Sequence, residues 1–338
     1  MRRAAFLLLL VVLSALSRSD GLAQTPARTP APHHYLFSYF KGNGEDGVHL
    51  AYSVDGLSWR ALNGDRPFLT PAVGQEKLTR DPMVLRGPDG VFHMVWTPGW
   101  RERGIGHASS PDLIHWSEQQ YIPVMAHEPR ARNAWAPELA YDASSGEYLV
   151  FWATTIVGRF PATDGQLRKG RSWDPGWDHR IYYVATRDFR TFTPARLLYE
   201  HGFNVIDATM VRDGARWLMF VKDETDEPRT PQKNIHYAVT ASPTGPWGPP
   251  SPAITGKYWA EGPTVLRIDG TWYVYFDKYM EGHFGLVTSP DLEHWTEASD
   301  RLSLPPGIRH GTAFEIPADV AAALLARDSA SAATPSSR

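Results

Sequence analysis

The sequence contains no cysteine, which excludes disulfides, thiolate metal sites and a cysteine nucleophile. Charge of neither sign is in excess: 34 Lys and Arg stand against 37 Asp and Glu, for a net charge of −3. Nothing in that balance points to a nucleic acid or an acidic membrane surface as a partner. Long apolar runs are missing apart from Ala4–Leu16, which is too short to span a bilayer. Helical patterning is nearly absent as well, and only Asp319–Arg327 reads as a short terminal helix. What the chain has in quantity is aromatic side chains, with 13 Trp, 14 Tyr and 14 Phe. Aromatic residues favour strands, and their faces suit flat or ring-shaped ligands.

The single apolar run follows Arg2 and Arg3 and leads into small and polar residues up to Gln24. That is the layout of a secretory signal, with cleavage near Ala23 or Gln24. Residues 1–24 are therefore expected to be removed and the protein to be secreted or periplasmic, with no membrane span afterwards. Residues 25–33 are proline-rich and read as a linker. The folded domain is expected over 34–317, and 318–338 as a short helix with a disordered tail. No feature of the sequence asks for more than a monomer.

A turn of the form Ser-x-Asp-x-x-x-Trp recurs along the domain. It stands as SVDGLSW (Ser53–Trp59), SPDLIHW (Ser110–Trp116) and SPDLEHW (Ser289–Trp295), with looser copies TRDFRTF (Thr186–Phe192) and ASPTGPW (Ala241–Trp247). A Ser or Asp side chain at such a turn binds the backbone two residues on, and the aromatic packs back on the sheet. Five copies at long spacing indicate a repeated four-stranded unit, the blade of a β-propeller. Inner strands at Asp81–Leu85, Pro137–Tyr141, Asp207–Val211 and Gly262–Leu266 precede aromatic middle strands such as YLVFWA (Tyr148–Ala153) and TWYVYF (Thr271–Phe276). The first turn has a middle strand, Tyr35–Phe40, but no inner strand before it. The matching strand lies at the other end of the domain, His310–Ile316. An all-β, five-bladed propeller is thus predicted, its ring closed by the C-terminal strand completing the N-terminal blade, which leaves no open edge.

The inner strands open on Asp81, Trp135, Asp207, Glu261 and His310. Three carboxylates converging on one axis disfavour one another's charge, which is wasteful in a core and useful for chemistry. Hydrolysis of a glycosidic bond takes one protonated carboxyl and one ionised carboxylate on opposite faces of the sugar, and a third acid can tune the first. Trp100, Trp135 and Trp259 are candidates for stacking on a sugar ring. Arg309 would donate to substrate hydroxyls or counter the charge of Asp207 or Glu261. Lys222 and Asp223 open a charged loop and read as rim residues. Two inserts, Arg159 to Arg180 and Lys222 to Asn234, read as walls of the pocket mouth.

The strands RDPMV (Arg80–Val84), NVIDATMV (Asn204–Val211) and AEGPTVL (Ala260–Leu266), in that order, resemble the signature strands of glycoside hydrolase family 43, and WAPEL (Trp135–Leu139) and RHGTAF (Arg309–Phe314) resemble its other strand starts. The similarity runs from about Tyr35 to Ile316. It implies an inverting glycosidase in which Asp81 is the general base, Asp207 the acid that tunes and orients its neighbour, and Glu261 the general acid. It implies Glu138 at a substrate-contacting position where the family often carries Asp, and an oligosaccharide or polysaccharide as substrate. In the family a histidine in this region can sit on the central axis and hold a calcium ion, partly through water; the other reading of His310 is a side chain that bonds the pocket carboxylates. No further cofactor is required. Exo-acting α-L-arabinofuranosidase activity on plant-type glycans is the expected function; β-D-xylosidase or β-galactosidase action, or a propeller that binds glycans without cutting them, are the alternatives.

Overall fold

The computed structural model describes residues 33–163, 176–225 and 233–333. The expected signal segment, nearly all of the linker, the middle of both inserts and the end of the tail lie outside them. Five antiparallel sheets form the five blades of a propeller. Blade 2 runs Arg80–Arg86, Phe92–Thr97, Ile105–Ser110, Gln120–Ile122 from the inside out, and blade 3 runs Trp135–Asp142, Glu147–Thr155, His179–Thr186, Arg196–Tyr199. Blade 4 has Val205–Asp213, Arg216–Asp223 and Ile235–Thr240, and blade 5 has Glu261–Ile268, Thr271–Lys278, His283–Ser289 and Thr296–Glu297. Blade 1 takes its inner strand, Arg309–Glu315, from the far end of the chain and sets it against Tyr35–Phe40, with Tyr35 opposite Glu315 and Ser38 opposite Thr312. The expected ring closure is present.

The repeated turn has one chemistry in four blades. The Ser or Thr hydroxyl accepts the N–H three residues on, from Gly56, Leu113, Phe189 and Leu292. The Asp carboxylate caps the next two N–H groups, as Asp291 does for Glu293 and His294. Blade 4 departs from the four-stranded expectation. The segment after Trp247 still follows the outer strand, with Gly248 N donating to Val239 O and Ser251 N to Tyr237 O. Pro249, Pro250 and Pro252 lack the N–H that a ladder needs, so no fourth strand forms.

Apolar side chains fill the seams between blades. Phe151, Tyr183, Trp217 and Met219 join blades 3 and 4 in one buried cluster. Leu36, Leu50, Phe92 and Trp96 join blades 1 and 2, and Ala321 and Leu324 of the terminal helix pack on that same cluster. The helix spans Ala318–Ala333, longer than its apolar pattern predicts, because the alanine-rich stretch beyond Arg327 has high intrinsic helix propensity.

Each inner strand is irregular near its start. The pairing register slips between Arg80 and Met83, Trp135 and Glu138, Ile206 and Thr209, and Glu261 and Thr264. Blade 1 slips at the same level, opposite Ser38 and Phe40. In blades 2 to 5 the residue inside the bulge has a left-handed backbone: Asp81 (φ 52°), Ala136 (φ 44°), Asp207 (φ 52°) and Gly262 (φ 59°). This corrects the alignment read from sequence. Glu261 stands level with Arg80, Trp135, Ile206 and Arg309, one step before the bulge. Asp81 and Asp207 stand one step further in, level with Ala136, Gly262 and His310. A bulge inserts a residue and re-aims its side chain, so strand alternation alone cannot separate these two tiers.

Gly262 is at such a bulge for a second reason. A Cβ there would lie 2.4 Å from ring atoms of His310. Gly262→Ala should therefore lower stability by about 2–4 kcal/mol, summing left-handed strain and overpacking. Ala136→Gly, at the matching place in blade 3, should be neutral or stabilising by at most about 1 kcal/mol. Urea unfolding of the two variants checks this; equal destabilisation would contradict the assignment.

Candidate active site

Where the five inner strands meet, a cavity of about 510 Å³ is lined by Asp81, Asp207, Glu261, Arg309, His310, Trp100 and Trp135, together with Arg80, Thr97, Trp177, His179, Lys222, Glu224 and Tyr279. The three acids come from blades 2, 4 and 5, and the cation among them comes from blade 1.

Asp81 is built from two sides. Its Oδ1 lies 3.3 Å from His310 Nδ1, and its Oδ2 accepts from Thr97 Oγ1 at 2.8 Å. The Thr97 hydroxyl can only donate to Asp81, because it also accepts the Ala136 N–H at 2.8 Å. Burial alone would raise the Asp81 carboxyl, but the His310 contact and charge, Arg80 and the Thr97 hydroxyl outweigh it and bring it down to about 2. Asp207 has no such set of donors. It accepts from Gly262 N at 3.0 Å. Burial pushes it up to about 6, against the pull of His310 and Lys222 and with the push of Glu261 and Asp81. The two aspartates have the same backbone conformation and opposite titration behaviour.

Glu261 is gripped at both oxygens. Oε2 is 3.0 Å from Lys222 Nζ, and Oε1 is 3.3 Å from Arg309 Nη2. Arg309 is itself fixed by Asp277, whose Oδ2 is 2.7 Å from its Nε. Arg309 thus takes the counter-ion place, to Glu261 rather than Asp207. Lys222, read as a rim residue, is buried instead. It also reaches Glu224 Oε2 at 2.7 Å and lies 4.6 Å from the Tyr279 ring. Its pairing register explains the difference: Lys222 faces Ile206 and Asp277 faces Glu261 at the same level of adjacent blades. A sequence reader who aligned the ends of the middle strands would have found both.

Glu138 does not line the cavity. Buried beside the bulge of blade 3, it accepts from Thr209 Oγ1 at 2.8 Å, and burial pushes it up to about 8 despite that bond and the charge of His310. Trp259 does not line the cavity either; its ring lies 5.9 Å from that of Tyr279, tilted by 36°, and Tyr279 does line it. Trp100 and Trp135 meet edge to face at 5.6 Å, and Trp135 continues to Trp177 at 4.5 Å. Trp177 and His179 come from the first insert and extend this aromatic wall. Sequence reading missed both, because only a closed ring reveals that the insert returns to Trp135. Beneath them the fully buried Arg180 donates to Asp178 and the His179 carbonyl, both at 2.7 Å, and fixes the return of the chain.

His310 does not fit a directly bound calcium. Calcium takes six or more oxygen ligands, and among the described residues no cluster of three or more His, Asp or Glu has ligand spacing. Burial would lower the imidazole, but Asp207, the Asp81 contact and Glu261 raise it to about 9. With Nδ1 turned to Asp81 at 3.3 Å, the imidazole is placed as the partner of a carboxylate.

A family profile described as a probable glycosyl hydrolase domain, related to glycoside hydrolase family 43, matches residues 31–320. An α-L-arabinofuranosidase of Bifidobacterium longum subsp. longum is 24% identical over 186 residues, covering 50% of this chain but only 17% of that protein. Among solved structures, an α-L-arabinofuranosidase from Lactobacillus brevis matches with a TM-score of 0.50 and 17% identity, over 65% of this chain and 72% of that one. A family-43 β-1,3-galactosidase matches with a TM-score of 0.54 and 13% identity, over 77% of this chain and 55% of that one. These structures share the fold. No helix among the described residues is long and apolar enough to cross a membrane.

The raised His310 ties stability to pH. The folded state holds the proton to about 9 and the unfolded chain to 6.5, so the stabilisation is complete below 6.5 and lost as pH rises through 9. That difference corresponds to about 3 kcal/mol. Imidazole-detected 1H–15N spectra should show one histidine ring still doubly protonated at pH 8. Spectra with every ring neutral there would overturn the charge assignment on the axis.

Proposed function

The chain belongs to the glycosyl hydrolase family related to family 43, and on that premise we propose that it is an inverting, exo-acting glycosidase that releases terminal α-L-arabinofuranose from plant-type glycans. One observation carries the reading. Asp81 and Glu261 line one cavity from non-adjacent blades, with Asp81 held ionised and Asp207 standing apart from it in titration.

In this mechanism a water lies between Asp81 and the anomeric carbon. Asp81 takes the water proton as the new C–O bond forms, and Glu261, which enters the step carrying a proton taken up in the substrate complex, gives it to the departing glycosidic oxygen. Asp81 suits the base role because His310, Arg80 and Thr97 keep it charged across the working range. Lys222 and Arg309 hold the Glu261 carboxyl in place and accommodate the negative charge left on it after transfer. Asp207, anchored on the N–H next to Glu261, tunes that group's surroundings from below. Hydrolysis is balanced: water supplies OH to the released sugar and H to the aglycone.

Arabinofuranose as the sugar is supported by the similarity to the Bifidobacterium α-L-arabinofuranosidase, and exo cutting by Trp177, His179 and Glu224, parts of the two inserts that line the cavity. The signal-like layout at the N-terminus, Arg2-Arg3 before the apolar run Ala4–Leu16, supports action outside the cytoplasm. Incubation with aryl α-L-arabinofuranoside, β-D-xyloside and β-D-galactoside, followed by proton NMR, should release arabinose first and with inverted configuration. Glu261→Gln and Asp81→Asn should each lower kcat by about 10²–10⁴-fold. Retained configuration would remove Asp81 from the base role, and turnover of the β-D-galactoside alone would move the substrate to galactans.

A further inference from the structure

His179 sits in the cavity wall, only 1% exposed, between Trp135 (ring centroids 5.0 Å apart) and Trp177 (5.5 Å, planes 2° apart). Asn204 dictates which of its nitrogens carries the proton. The Asn204 amide nitrogen donates to Trp177 O at 2.8 Å, so its oxygen must face the other way. That oxygen accepts the His179 backbone N–H at 2.8 Å and faces His179 Nδ1 at 3.1 Å. Nδ1 is therefore the N–H, and Nε2 carries the lone pair. Burial holds the ring neutral, with its pKa brought down to about 4. Yet Nε2 has no hydrogen-bond partner among the described residues, although it is shut off from water. A fixed, buried acceptor left unmade is costly, and proteins seldom retain one without use.

Its height in the fold says which part of a substrate it would meet. His179 pairs with Thr155, whereas Trp135 pairs with Ala153. The middle strand of blade 3 runs toward the mouth, so His179 stands above Trp135 and above the tier of Asp81 and Asp207. We propose that His179 Nε2 is a specificity-determining acceptor for a hydroxyl of the sugar on the leaving-group side, a ring that packs against Trp135 and Trp177 when the substrate is an oligosaccharide. The inference rests on the glycosidase reading. The sugar reaches Nε2 by displacing the edge of a neighbouring tryptophan, since the free protein leaves no water on that atom. A polar site that binds a hydroxyl in this way discriminates against ligands lacking it far more than an apolar wall does.

The test uses the full chain carrying Glu261→Gln, so that binding is read without turnover. Titration calorimetry with arabinotriose, xylotriose and β-1,3-galactotriose identifies the trisaccharide that binds. Adding His179→Phe, which keeps the ring and deletes the acceptor, should raise its Kd about tenfold or more. Adding His179→Gln, whose amide can place an acceptor near the same point, should recover most of that loss. Equal weakening in the Phe and Gln variants would assign the effect to packing and overturn the proposal, as would a Phe variant that binds normally. Binding of none of the three sugars by the Glu261→Gln protein would instead sink the glycosidase reading, and this inference with it.

Discussion

Three carboxylates cannot share a buried axis without a positive charge among them, and the rest of this site follows from how that charge is supplied. His310 is the cation at the centre: it touches Asp81, and the fields of Asp207 and Glu261 hold its proton. Lys222 and Arg309 complete the balance at Glu261. His310 and Arg309 come from the strand that closes blade 1, and Lys222 comes from blade 4. The propeller is thus more than a frame for the acids. It is the device by which distant parts of the sequence neutralise one another where water is scarce. Within that balance the acids remain distinct, because Asp81 receives a hydroxyl and an imidazolium whereas Asp207 receives one backbone N–H.

The bulges give this arrangement its geometry. A regular strand would send alternate side chains up and down its blade; an extra residue in a left-handed conformation turns Asp81 and Asp207 inward instead. Such conformations are held at a cost of roughly 1–3 kcal/mol each and collect where function needs them. Blade 5 uses the same bulge differently. Gly262 takes the left-handed place, so the acid moves one residue earlier and the missing Cβ leaves room for the His310 ring. Gly311 does the same for the other side of that ring's strand, where a Cβ would lie 1.8 Å from Ser38 O. The Glu-Gly-Pro and His-Gly-Thr steps are two halves of one fit.

Much of this was legible in the sequence because it is periodic. The repeated turn gave the number of blades, and the blade that lacked an inner strand pointed to Arg309–Glu315. The ordered acids pointed to one pocket. What escaped was whatever depends on phase or on closure. The one-residue offset of Glu261 needs the bulge register, which alternation cannot show. Lys222 read as a rim lysine because its loop is charged, although its strand position faces the axis. Glu138 and Trp259 have the right residue types and stand one layer behind the cavity. Trp177 and His179 belong to an insert whose return path has no sequence periodicity at all. The missing fourth strand of blade 4 was written in plain view, in three prolines close together.

The strand that closes blade 1 also carries the central cation. During synthesis, blades 2 to 5 can emerge and collapse while the axis still lacks His310 and Arg309, with Lys222 the one cation already set against Glu261 among the described contacts. Until residues 309–315 have left the ribosome, Asp81 and Asp207 repel one another with no imidazolium beside them. The order of translation therefore postpones assembly of the site until after all four other blades have been made, and a product terminated before residue 309 lacks both the imidazolium at Asp81 and the guanidinium at Glu261.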